Sequence, residues 1–167
     1  MSGGAHVFTY GSLMYEAVWT RVARGHYPST RARLAGFRRL AIRDETYPAV
    51  VPDPGAEVLG RLWFGVSPAD VERLDRFEGS EYRRQIVRVR SLPAGDAAAG
   101  NPFEHQTGGP ADGSADSVSA HCYVWLDPAR LLALPWDESA FKREHLAGFA
   151  HRHGAQAASS GLPRDLP

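Results

Sequence analysis

The 167-residue chain holds one cysteine, Cys122, and one lysine, Lys142, among its 19 basic residues. A single cysteine excludes an intrachain disulfide and any thiolate metal cluster built from this chain alone. The 19 acidic residues balance the 19 basic ones, so formal net charge is zero. That removes the electrostatic footprint expected of a protein that binds nucleic acid or an anionic membrane. No apolar run approaches the roughly 20 residues of a membrane span. The opening MSGGAHVFTYG also lacks the basic flank and apolar stretch of a signal peptide. A soluble cytoplasmic protein, with neither nucleic acid nor membrane as partner, is the expectation. Oligomeric state stays open.

Metal and hydrolase chemistry are equally thin. His151 and His153 supply two candidate ligands with no carboxylate at ligand spacing, so neither metal nor cofactor is expected. The turn YGSLM lacks the second glycine of a serine hydrolase elbow. Cys122 sits in SAHCYVWL, a strand-like stretch where a lone cysteine behaves as a small hydrophobe.

What is present reads as alternating strands and helices. HVFTY (6–10) is a β-branched and aromatic run ending at Gly11, and residues 14–24 carry helical spacing at Val18 and Val22. Residues 32–43, 47–52 and 56–66 are apolar strand candidates, the last two separated by the turn residues Asp53, Pro54 and Gly55. Ser67, Pro68 and Asp70 nearly match a capping box, predicting a helix that Gly79 ends in the left-handed conformation. Residues 81–92 alternate as a half-buried strand, and 119–127 return to the sheet. Between them, 93–119 has loop composition. Asp137 caps a helix over 137–153, with Phe141, His145, Leu146 and Phe149 on one face, and 154–167 form a tail. The chain therefore reads as a single domain over 1–153.

One residue conflicts with its setting. On a period of 3.6, Glu78 falls on the stripe of Val71 and Leu74, facing the core. It also occupies the last turn before Gly79, where unsatisfied carbonyls disfavour a carboxylate. Two readings compete. Glu78 turns outward and pairs with Arg73, Arg76, Arg83 or Arg84, or it is a carboxylate made basic by burial and poised to take a proton near neutral pH.

A resemblance bears on the choice. FTYGSLM (8–14), YPAVVP (47–52), GRLWFGV (60–66), LDRFEGSEYRR (74–84) and YVWLD (123–127) follow the order seen in the gamma-glutamylcyclotransferase-like superfamily. WDESAFKREHLAGF (136–149) resembles the ending of its branch known from plant avirulence-induced proteins. The likeness covers most of residues 6–153.

The resemblance implies an α+β fold, a small mixed β-barrel flanked by helices, with a cavity between the first turn and the helix carrying the acid. It also implies a reaction. The α-amino group of a γ-glutamyl amine or peptide attacks its own side-chain amide carbon, giving 5-oxoproline and a free amine with no covalent intermediate. The family's general acid/base maps onto Glu78, and its substrate-holding turn onto Tyr10, Gly11, Ser12, Leu13, Met14 and Tyr15. Tyr82, four residues after Glu78, is a further candidate to hydrogen-bond the base or the substrate. Gly11 lacks a Cβ, so substrate is expected to approach the main chain there. The N–H groups of Gly11, Ser12 and Leu13 then suit a carboxylate or a developing oxyanion. Met14, Tyr15 and Glu16 stand where many members have a basic residue and a glycine, which leaves the pocket for the leaving amine unassigned. The alternative of another class is a binding or stress-response module that keeps the cavity without turnover.

Overall fold

A computed structural model describes residues 3–93 and 117–149. Period-2 burial organises its centre. On strand β1 (Ala5–Thr9), Phe8 points into one apolar cluster with Leu34, Val50, Leu62, Val89 and Cys122, while Val7 points to the other with Trp19, Trp63, Leu74 and Phe141. The first cluster fills the interior of a barrel and the second lies between the barrel wall and the helices.

The barrel closes through five strands. These are β1, β2 (Ser29–Ile42), β3 (Pro48–Val66), β4 (Tyr82–Ser91) and β5 (Ser117–Trp125). The order runs β3-β1-β5-β4-β2 and returns to β3, with β1–β5 parallel and the other pairs antiparallel. Closure removes free edges, and a sixth strand, β6 (Leu131–Pro135), adds to β2. Helices α1 (Glu16–Val22) and α2 (Pro68–Glu78) cover one side. The expected small mixed barrel flanked by helices is the fold observed.

Several local expectations change. The run 14–24 is not one helix: a 3₁₀ turn, Ser12–Met14, comes first, and Tyr15, with extended backbone, separates it from α1. The two strands expected at 47–52 and 56–66 are one, β3, because Asp53–Gly55 form a bulge rather than a hairpin. Pairing passes from Phe37↔Pro52 to Ala35↔Glu57 across the positive-φ Gly36 and Gly55. β4 buries Val87 and Val89 while Ile86 points to solvent. β5 begins at Ser117, inside the stretch expected to be loop, and β6 was not foreseen. Residues 94–116 of the expected loop, His151, His153 and the tail 154–167 lie outside the described residues. Asp137 caps the C-terminal helix as expected, its carboxylate accepting from the Ala140 N–H at 2.8 Å. Phe141–His145 then winds as a π-helix.

Helix α2 carries the acid to its place. Ser67 Oγ accepts the Asp70 N–H at 3.2 Å with Pro68 at the first position, but the capping box is only half made. The Asp70 carboxylate turns instead to Tyr27 Oη and the Arg24 and Gly25 N–H groups, and to the Arg73 guanidinium. Burial opposes that charge, but these donors prevail and draw the Asp70 pKa down to about 2. Gly79 ends the helix with φ 72° and ψ −167°, a region beyond αL that is essentially restricted to glycine. The backbone is thereby redirected into β4 one residue after Glu78.

Candidate active site

The end of β1, the starts of β3 and β4, and the last turn of α2 converge on one cavity. Phe8, Thr9, Tyr10, Gly11, Ser12, Leu13, Tyr47, Pro48, Glu78, Tyr82 and Tyr123 line it. Its space is about 330 Å³ with the open mouth included.

Among the described residues Glu78 is the one carboxylate in that lining, and it is only partly exposed. The four arginines that could have neutralised it do not. Arg73 pairs with Asp70, Arg76 with Glu72 and Arg84 with Asp75, and Arg83 is not bonded to Glu78. Among the described residues the Glu78 carboxylate makes no hydrogen bond and no ion pair. Desolvation alone pushes its pKa up to about 8, so that it is held neutral well into the range where an ordinary glutamate is charged.

Phenols surround the acid. Tyr10 Oη donates to the Tyr123 carbonyl at 2.5 Å, Tyr82 Oη to the Pro48 carbonyl at 2.8 Å, and Tyr123 Oη to Asp75 at 2.7 Å. Burial raises the pKa of Tyr10, of Tyr82 and of Cys122, and the Glu78 charge pushes each the same way. All three stay protonated at neutral pH, which leaves Glu78 as the group of this cluster that can exchange a proton there.

The turn lines the same cavity as the acid. Met14 N–H closes the 3₁₀ turn on the Gly11 carbonyl at 3.0 Å. The Gly11 N–H has no partner among the described residues, and Ser12 and Leu13 open the turn, where backbone donors are left over. Gly11 is required for a reason the sequence did not show. A Cβ there would lie 2.8 Å from Pro48 Cδ, so the vacancy holds the Pro48 ring rather than substrate. Of the residues expected to hold substrate, Tyr10, Gly11, Ser12, Leu13 and Tyr82 line the cavity, whereas Met14 and Tyr15 are buried in the core and are absent from the lining. Tyr47, Pro48 and Tyr123 were not assigned roles, although they sit in two of the motifs, YPAVVP and YVWLD, that carried the resemblance.

A sequence model of the family described as gamma-glutamyl cyclotransferase, AIG2-like, matches residues 7–140. The chain belongs to that family. AIG2-like protein D of Arabidopsis thaliana is 31% identical over 162 residues, covering 95% of this chain and 92% of its own length. A solution structure from Arabidopsis thaliana superposes with a TM-score of 0.58 at 25% identity, over 96% of this chain and 95% of that one. A solved structure called gamma-glutamyl cyclotransferase superposes with a TM-score of 0.57 over 97% of this chain and 90% of that one. At 14% identity it shows the shared fold alone. In this AIG2-like member the family barrel therefore brings to the same cavity one acid and one turn whose carboxylate and Gly11 N–H have no partner among the described residues.

Proposed function

We propose that the protein is a gamma-glutamyl cyclotransferase acting on a small γ-glutamyl amine or γ-glutamyl peptide, without cofactor or metal. The α-nitrogen of the glutamyl group forms a bond to the side-chain amide carbon, the bond from that carbon to the leaving nitrogen breaks, and 5-oxoproline and a free amine result. Nucleophile and electrophile share one molecule, so the principal task is to fold the glutamyl chain back on itself. Glu78 takes a proton from the attacking ammonium and returns it to the leaving nitrogen. Its basicity, near a pKa of 8, approaches that of an amine, which makes the transfer close to balanced. The N–H groups of Gly11, Ser12 and Leu13 receive the oxyanion that develops on the amide oxygen. Tyr10 and Tyr82 shape the wall around the glutamyl chain.

The observation that carries this reading is a carboxylate with no hydrogen-bond or ion-pair partner among the described residues, in the wall of a cavity that it shares with that turn. Membership of the gamma-glutamyl cyclotransferase, AIG2-like family supports it. The test is mass-spectrometric detection of 5-oxoproline released from a panel of γ-glutamyl amino acids, γ-glutamyl peptides, ε-(γ-glutamyl)lysine and γ-glutamyl alkylamines. Wild type should release it from at least one member and Glu78→Gln from none. A wild-type protein that binds panel members without turnover would establish the binding-module alternative instead.

A further inference from the structure

Arg39, on β2, reaches the candidate site from outside the cavity lining. Its Nη1 donates to the Tyr10 carbonyl at 2.8 Å. Its Nη2 lies 3.4 Å from Glu138 Oε2, and its guanidinium sits 5.0 Å from the centre of the Trp136 ring. The other oxygen of Glu138 accepts the Tyr15 hydroxyl at 3.2 Å. Trp136 is fixed in turn by donating to the Thr46 carbonyl at 2.9 Å. One arginine and one glutamate, 99 positions apart, thus hold the Tyr10 and Tyr15 ends of the turn.

The peptide plane gives this contact a directional consequence. The described residues contain no cis peptide, so the Tyr10 C=O and the Gly11 N–H point in opposite directions from one rigid plane. A guanidinium that fixes the carbonyl on the Arg39 side therefore aims the N–H away from Arg39. Gly11 lines the cavity, and this N–H has no partner among the described residues. A cation on the carbonyl also polarises the amide and strengthens its N–H as a donor. We propose that Arg39 is a positioning residue for cyclisation: held by Glu138 and Trp136, it locks the Tyr10–Gly11 peptide so that the Gly11 N–H is presented to the developing oxyanion. This rests on the cyclotransferase reading above, and it assigns a role to the WDE segment at 136–138, which acts on the turn through Arg39 and Tyr15.

The test uses Arg39→Met, which keeps the stem over Trp136 and removes both donors, with Arg39→Lys and Glu138→Gln beside it. Two measurements are made on each folded variant, namely 5-oxoproline release and the ¹H–¹⁵N resonance of the Gly11 amide without substrate. Arg39→Met should lose about 10- to 100-fold in kcat, less than deletion of a donor outright, with KM within about threefold and the pH midpoint of kcat/KM unchanged, because Glu78 is intact. Arg39→Lys should recover part of the loss. The Gly11 amide resonance should move in Arg39→Met and return toward its place in Arg39→Lys. If Arg39→Met does not fold, Glu138→Gln decides, with a smaller loss and the same displaced resonance. A folded Arg39→Met with kcat within twofold of wild type, or an unmoved Gly11 resonance, overturns the proposal. A wild type that releases no 5-oxoproline defeats the reading of the previous subsection, and the Gly11 resonance then still decides whether Arg39 sets this peptide.

Discussion

Replacing Glu78 by glutamine should make the protein more stable, by an amount that depends on pH. Burial raises the carboxyl from 4.5 to about 8, so the folded state binds its proton more tightly than the unfolded chain does. Stability contributed by that proton is complete below about 4.5 and is lost as pH rises through 8. At ~1.4 kcal/mol for each tenfold change in proton affinity, the full difference is about 5 kcal/mol above pH 8. Glu78 keeps part of its surface open, and solvent screening there reduces the effect by somewhat more than half, to about 2 kcal/mol. Glutamine matches the neutral acid in shape and does not titrate. The advantage of Glu78→Gln should therefore be small at pH 5, grow through pH 7 and level off near pH 9, where about 2 kcal/mol corresponds to 4–8 °C in Tm for a chain of this size. Thermal unfolding of both proteins at pH 5, 7 and 9, followed by circular dichroism, measures it. A gap of constant size across that range, or a destabilised variant at pH 9, would refute the claim that Glu78 is held against its charge.

The same proton governs rate. With a pKa near 8, only about one Glu78 in ten is ionised in the free enzyme at pH 7, so kcat/KM should climb about tenfold per pH unit from pH 6 toward 8 and then flatten; a profile level over pH 5–7 would contradict this. Gly11→Ala drives a Cβ to 2.8 Å from Pro48 and should cost about 1–3 kcal/mol in urea unfolding together with most of the activity, whereas Ser12→Ala should retain activity because the N–H groups do the binding. Equal loss in the two variants would move the role to the Ser12 hydroxyl. Asp70→Asn removes a buried carboxylate whose pKa hydrogen bonds depress to about 2, and should cost about 2 kcal/mol at pH 7. The sign is opposite to that of Glu78. The Asp70 contribution is present above about 3.8 and fades as pH falls through 2, so the penalty measured by denaturant unfolding should shrink in strong acid.

How much of this site could be read from the chain differs by the range of the interaction. Glu78 was legible because two local rules collide on it, the period that turns it inward and the helix end that disfavours its charge, and a residue that breaks both is worth explaining. The half-made capping box, by contrast, was misread, because Asp70 has better donors in Tyr27 and the Arg24–Gly25 backbone, some 45 positions away. Asp53, Pro54 and Gly55 spell a turn in any local reading, yet β2 pairs on both sides of them and converts the turn to a bulge. Gly11 lies in the cavity lining, but the reason for a glycine there was not local, since the Pro48 ring that needs its empty Cβ position arrives from another strand. Arg39 gave no signal, and Glu138 had no role although it sits in the WDESAFKREHLAGF stretch. Each is one charged side chain among many in sequence, and the contacts that unite them span 29 and 99 positions. The local chemistry of the acid is therefore written in its own helix. The turn that shares its cavity is set by strands and by a C-terminal segment that only the closed barrel brings alongside, and variants of Arg39 and Pro48 rather than of the turn itself are where that dependence can be measured.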